Sequence, residues 1–265
     1  MIKLDTDKML AEKDGAIGWV TFNNPERRNA MSLDMWSALS TILDGFEADD
    51  EIRVIVMKGA GDKAFVSGAD ISQFEKERAN AEAADRYAKI SEAGRARLGH
   101  LEKPLIAMVR GFCLGGGLAI AMAADLRMAS ADAQFGIPAA RLGIAYGQDG
   151  LSRLYSLVGP SIALDILFSG RRLPAEEALK IGLVNRVVPG EQLEATVRDY
   201  AAQLAINAPL SMRASKLTIR ELGKAAAERD QDLLKKMVQQ CFDSADYEEG
   251  RKAFMEKRKP VFTGR

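Results

Sequence analysis

Two short segments of the 265-residue chain carry the features most readily turned to chemistry. The first is Lys63-Ala64-Phe65-Val66-Ser67-Gly68-Ala69-Asp70-Ile71, an apolar strand-like run ending in a tight turn that opens a helix, with Asp70 available as its cap. The second is Val109-Arg110-Gly111-Phe112-Cys113-Leu114-Gly115-Gly116-Gly117-Leu118-Ala119-Ile120. Here a buried strand runs into a loop, then into a helix that starts within the triple glycine. Glycines at a helix start let backbone N–H groups approach a ligand closely, and the unpaired N–H groups and positive dipole end favour a negative atom. The same glycines would equally permit tight packing of the helix on a strand. Neither nucleotide motif fits. Ile120 stands where the dinucleotide fingerprint needs its third glycine, and no Gly-Lys-Ser/Thr follows for a phosphate loop.

Other chemistries find less support. The only histidine is His100, which argues against a Ser-His-Asp hydrolase and against a multi-histidine zinc site, so no metal is expected. His100 ends a helical stretch before Lys103-Pro104 and reads as a capping or surface residue. Cys113 and Cys241 form no paired motif, and the charged N-terminus is unlike a secretory leader, so a reducing, cytoplasmic setting is expected. Lys plus Arg balance Asp plus Glu at 37 each, which gives no electrostatic support for a nucleic-acid or membrane-surface role. No apolar run approaches the roughly 20 residues of a membrane span.

The elements that must position these turns follow from hydrophobic pattern. Met9–Lys13 and Ala16–Phe22 read as a hairpin joined at Asp14-Gly15. After the polar loop 23–29, Ser32 can cap a helix whose Leu33, Trp36, Leu39, Leu43 and Phe46 recur at helical spacing. Arg53–Met57 and Leu105–Val109 are apolar runs without alternation, as expected of strands buried on both faces of a parallel sheet. Between them lie Ala64–Val66 and a polar helical stretch over about residues 72–99. Leu126–Ala129 and Leu183–Val188 are further strands. This order predicts an α/β core over 1–195. A helical region over 196–265 follows, broken at Pro209 and near Gly223 and Gly250, with Leu233, Leu234, Met237 and Phe242 suited to packing or a subunit contact. A chain of this size should bury roughly 70–75% of its unfolded surface and needs no disulfide or metal to fold.

Taken together, the two glycine turns resemble those of the crotonase superfamily, the enoyl-CoA hydratase/isomerase family. The resemblance covers nearly the whole chain: Asn24-Pro25-Glu26-Arg27-Arg28-Asn29-Ala30, Ser67–Ile71, Leu114–Gly117, Phe135-Gly136-Ile137-Pro138, Gly170-Arg171-Arg172-Leu173, Ala175–Ala178, Gly182-Leu183-Val184 and Phe254–Pro260. It implies a spiral of β-β-α units with C-terminal helices that build a homotrimer or a dimer of trimers. The substrate it implies is an acyl-CoA thioester, with coenzyme A arriving as part of the substrate and no separate cofactor.

The resemblance also assigns roles. The N–H groups of Ala69 and Gly116 would point at the thioester oxygen and stabilise the enolate more than the neutral carbonyl. Arg28 would offer its guanidinium to the phosphates, or remain a solvated surface arginine, and backbone near Ala30 would line the pantetheine path. Ala64, Gly68, Asp70 and Ile71 would border adenine and pantetheine, with Leu114, Gly115 and Pro138 completing the binding surface. Lys257 lies in the C-terminal basic segment that approaches coenzyme A in relatives, sometimes from a neighbouring subunit.

One departure limits what the resemblance implies. The hydratases carry two glutamates that position and activate water, and Ala119 and Ala139 stand at those places here. Alanine can neither orient water nor exchange a proton. Isomerase-like or other enolate chemistry is therefore favoured over ordinary hydration. The alternatives are CoA-thioester hydrolysis, decarboxylation or dehalogenation, or binding without catalysis, with a nicotinamide oxidoreductase as the reading outside the family. Asp149, two residues beyond the related branches' acid position at Gly147, is the substitute proton shuttle, or else the cap of the helix holding Leu151, Leu154, Tyr155 and Val158. Tyr146 is a further donor in the same loop.

Overall fold

The computed structural model describes residues 2–70 and 81–265, apart from the side chains of Ala81, Ala83, Ala84 and Asp149. Among the described residues, ten strands form two sheets: β1 Met9–Asp14, β2 Ile17–Phe22, β3 Val54–Gly59, β4 Ala64–Val66, β5 Leu105–Val109, β6 Phe112–Leu114, β7 Leu126–Ser130, β8 Gln134–Gly136, β9 Leu173–Pro174 and β10 Arg186–Val188. The described helices are α1 Leu33–Ala48, α2 Ala81–His100, α3 Gly116–Ala123, α4 Gln148–Ser169, α5 Ala175–Lys180, α6 Leu193–Ala205, α7 Pro209–Leu222, α8 Gln231–Phe242 and α9 Ala245–Glu256.

The larger sheet runs β1-β2-β3-β5-β7-β10, parallel except for the β1–β2 hairpin. Its apolar runs lack alternation because both faces are covered. Ile55, Met57, Leu105, Ala107 and Val109 face the main core with α1, whereas Val54, Val56, Ile106 and Met108 face a second core closed by Leu193, Val197 and Ala201 of α6. The hairpin loop is Gly15-Ala16, one residue later than expected, with Gly15 at φ +57°.

The smaller sheet, β4-β6-β8-β9, is what the hydrophobic pattern did not show beyond β4. After each of β3, β5 and β7 the chain steps across into β4, β6 or β8. These are three-residue strands, too short for a periodic signal, and they pair in parallel in that order. The repeated strand-strand-helix step is the expected spiral. It brings the C-terminal ends of β4, β6 and β8 side by side, the edge at which open α/β sheets hold ligands.

Other expectations shift. Leu183 and Val184 are buried in a turn rather than in a strand, which is confined to Arg186–Val188. Position 195 falls inside α6, whose Leu193, Val197 and Ala201 are buried in the second core. Gly250 does not break α9; it packs against the Phe262 ring, which a Cβ would meet at 3.5 Å. Met237 is buried, while Phe242 is 58% exposed. Helix α4 is apolar and long enough to cross a membrane, but Gly159 at φ 74°, followed by Pro160, divides it into two shorter pieces. His100 ends α2 on the surface, its Nδ1 2.7 Å from the Ala96 carbonyl oxygen.

Candidate active site

The first wall is the chain leaving β4. It runs beside the loop after β2: Ser67 N–H donates to Arg28 O (3.1 Å), Met31 N–H to Gly68 O (2.8 Å), and Asp70 N–H to Met31 O (2.9 Å). Successive N–H groups of extended backbone point to opposite edges. With the Gly68 carbonyl and Asp70 N–H both engaged by Met31, the Ala69 N–H is turned to the other side. Fully buried Asn29 fixes the loop, donating from Nδ2 to Ala64 O (2.7 Å) and Ala60 O (3.0 Å) and accepting from Asn24 N–H at Oδ1 (3.0 Å). Arg28 and Asn29 take positive φ, 51° and 57°, to make the bend. Ala30 and Ala64 are thereby buried, and the Ala64 carbonyl is occupied.

The second wall is the glycine turn after β6. Gly115 N–H donates to Gly136 O (2.8 Å), which ties the turn to the end of β8. Gly115 sits at φ 53° and ψ −119°, a backbone shape that favours glycine. Gly116 then begins α3, and the first N–H groups of a helix have no intrahelical acceptor.

The three glycines prove to have different reasons. A Cβ on Gly117 would lie 1.9 Å from the Val66 carbonyl oxygen, so this glycine permits α3 to press on β4. A Cβ on Gly116 would meet nothing nearer than Gly68 Cα at 3.9 Å, and it would stand 4.0 Å from Ala69 N. Packing does not require glycine at 116; the position borders the gap beside the Ala69 amide. Among the described residues, neither the Ala69 nor the Gly116 N–H donates to a backbone acceptor outside regular elements. The packing reading of the triple glycine therefore holds at Gly117, whereas packing gives no reason for glycine at 116.

The third wall starts at the end of β8. Pro138 opens a short 3-10 turn, Pro138–Leu142, and Ala139 inside it is 8% exposed. Ala119, on the first turn of α3, is half-buried. Further along, the half-buried Tyr146 brings its hydroxyl within 3.4 Å of where a Gly115 Cβ would be. Burial raises its phenol above the ordinary value of 10, so it stays protonated and serves as a donor. Asp149 is the second residue of α4, and Gly147 is the N-cap, so the expected cap at Asp149 is not found; its side chain lies outside the described residues. Ile71 also lies outside them, and with it the helix that Asp70 was expected to cap; Asp70 itself is buried. Cys113, buried on β6, has its thiol pushed up by desolvation and is held neutral.

A cationic surface adjoins the turns. The Arg28 guanidinium lies 5.3 Å and that of Arg172 4.9 Å from the centroid of the Phe112 ring on β6. Arg172 was missed by sequence reasoning. The signal was present in Arg171-Arg172 before β9, since neighbouring residues of an extended chain point opposite ways. Arg171 is engaged by Asp165 and Glu177, leaving Arg172 to turn toward Phe112. Asn29 was quoted within the polar loop and the family motif but given no role of its own. Lys257 is the exposed left-handed C-cap of α9, and among the described residues no ion pair or hydrogen bond ties its side chain to the turns.

Comparison with known proteins gives a consistent result. Residues 12–265 match the enoyl-CoA hydratase/isomerase family model. The chain is 36% identical over 256 residues to the short-chain-enoyl-CoA hydratase of Clostridium acetobutylicum, covering 97% of each chain. It is 36% identical over 258 residues to the carnitinyl-CoA dehydratase of Salmonella typhi, covering 96% of this chain and 97% of that one. Among solved structures, an enoyl-CoA hydratase/carnithine racemase from Magnetospirillum magneticum superposes with a TM-score of 0.92 at 36% identity, covering 98% of this chain and 97% of that one.

Proposed function

Because the chain belongs to the enoyl-CoA hydratase/isomerase family, we propose that it binds an acyl-CoA thioester and stabilises its enolate with the N–H groups of Ala69 and Gly116. The observation that carries this reading is the gap between two strand ends, bordered by two amides that the fold leaves without backbone partners outside regular elements. Preorganised donors strengthen as the thioester oxygen gains charge, so they lower the barrier to the enolate rather than merely holding the ester. Arg28 takes the phosphates of coenzyme A, joined by Arg172, and coenzyme A needs no other cofactor beside it.

The relatives' names are those of hydratases and a dehydratase, and a lyase reaction is the conservative reading. Ala119 and Ala139 argue for a different use of the enolate here. Neither can hold or activate water, whereas double-bond isomerisation needs only one group to take the α-proton and return it to the γ-carbon, a role the sequence offers to Asp149. The exposed Ile219, Leu222, Val238, Phe242, Phe254 and Met255 on the C-terminal helices support a trimeric assembly, or a dimer of trimers.

Acetoacetyl-CoA provides the test, since its enolate has a distinct ultraviolet band. Binding should increase that band at fixed pH, and 3-enoyl-CoA should convert to the conjugated 2-enoyl ester. Tight binding with neither change would leave a binding protein without chemistry, and absence of binding would overturn the assignment.

A further inference from the structure

Helix α3 carries the Gly116 amide at one end and meets two arginines at the other. Carbonyl oxygens of its last turn have no helical partner, and they make a negative end that opposes the positive one. A helix of eight residues spans only about 12 Å, so both ends are felt at either terminus. Arg153, on α4, donates from Nε to Met122 O (3.0 Å). Arg127, on β7, donates from Nη1 to the oxygen of the C-cap residue Ala124 (2.9 Å) and from Nε to Leu183 O (2.7 Å). Among the described residues, no ion pair involves either arginine. Asp125, the acid beside the C-cap, is engaged by Lys216 (2.7 Å). Arg127 is fully buried; that burial, then the charge of Arg153, lowers its guanidinium to about 10, with Asp125 offsetting part of the fall, and it stays charged at neutral pH. Leu118, Ile120, Ala121 and Met122 are buried along the helix between the two ends, and such surroundings screen a charge far less than water does.

We propose that Arg127 and Arg153 are positioning residues for the enolate: acting through α3, they cancel its negative end and leave a stronger positive field at the Gly116 amide. This inference rests on the acyl-CoA enolate reading and adds to it two residues that need not touch the ligand. A neutral thioester oxygen gains little from such a field, whereas an enolate oxygen gains much, so the arginines act on enolate formation rather than on affinity for the ester.

The experiment titrates acetoacetyl-CoA and butyryl-CoA into the full chain, Arg153→Gln and Arg153→Lys, reading the enolate ultraviolet band at saturation and a single pH. Arg153 is exposed, so its replacement spares the core. Glutamine keeps a donor for Met122 O without the charge, and lysine keeps both. Arg153→Gln should lower the enolate-to-keto ratio about three- to tenfold, the usual scale for a charge at a helix end, and Arg153→Lys should restore it. Butyryl-CoA should bind all three proteins alike. Arg127→Gln should lower the same ratio by at least as much; should that buried change prevent folding, the Arg153 pair decides. An unchanged ratio in Arg153→Gln, an equal fall in Arg153→Lys, or a parallel loss of butyryl-CoA affinity overturns the field assignment and leaves the enolate reading standing. Absence of the band in the unmodified, ligand-saturated protein overturns the enolate reading, and this one with it.

Discussion

Gly116 and Ala69 face one another across a gap between two strand ends: a Cβ on Gly116 would lie 4.0 Å from the Ala69 nitrogen and meet nothing closer than 3.9 Å. That room lets the Gly116 amide be deleted without disturbing the fold. Gly116 is the first residue of α3, where proline is well tolerated because its N–H has no helical partner. Gly116→Pro should lower turnover of a CoA ester by roughly 100- to 1,000-fold, the usual effect of losing one oxyanion donor, with little change in melting temperature. Retained turnover would remove the Gly116 N–H from the mechanism.

Gly117 should behave in the opposite way. Its added methyl would collide with the Val66 carbonyl of β4, so Gly117→Ala should destabilise the protein by about 1–3 kcal/mol in denaturant titration. Any loss of activity should then track displaced structure. A neutral effect on stability would mean that α3 can move away from β4 at no cost.

Arg28 and Arg172 converge on Phe112 from separate loops. Replacing either by alanine should weaken binding of an acyl-CoA by about five- to tenfold through lost charge-assisted contacts. The corresponding acyl-pantetheine, which lacks the nucleotide, should bind both variants and the unmodified chain alike. Equal weakening for the two ligands would place these arginines in packing rather than phosphate binding.

The departure at 119 and 139 predicts a ranking of reactions. The unmodified chain should isomerise 3-enoyl-CoA faster than it hydrates crotonyl-CoA. Ala119→Glu with Ala139→Glu should raise the hydration rate by on the order of 100-fold, the lower range for general acid–base groups. Fast hydration by the unmodified chain would show that water is activated without carboxylates at those positions.

The C-terminal tail has an acid-sensitive clasp. Arg258 donates to Glu249 through two N–H groups (2.6 and 2.8 Å), and Val261 N–H donates to the same carboxylate (2.9 Å). The Arg258 bonds, then the Val261 N–H, lower Glu249 to about 2, below its ordinary 4.5. A depressed carboxylate contributes its stabilisation above the unfolded value and loses it as pH falls through the folded one. Hydrogen-exchange protection of the Val261 amide should therefore hold above pH 4.5 and disappear between there and about pH 2. Protection unchanged at pH 2 would contradict the clasp.

Much of this protein was readable along the chain because its signals are local. The unbroken apolar runs of β3 and β5 announced strands covered on both faces, and the glycines at 68 and 115–117 marked two turns where backbone would be exposed to a ligand. Ala119 and Ala139 are read directly off the chain, while their meaning as missing carboxylates comes from the family resemblance alone. What the order of residues left open was how distant segments meet. The three-residue strands β6 and β8 have too few residues for a period and exist only because β4 is there to pair with them. That pairing sets Ala69 beside Gly116 and assigns packing to Gly117 but an open gap to Gly116. The role of Arg172 and the surroundings of Tyr146 came to light for the same reason. Their partners, Phe112 and Gly115, lie far away in sequence, and a side chain's neighbours across such separations are fixed by tertiary packing rather than by its own stretch of chain.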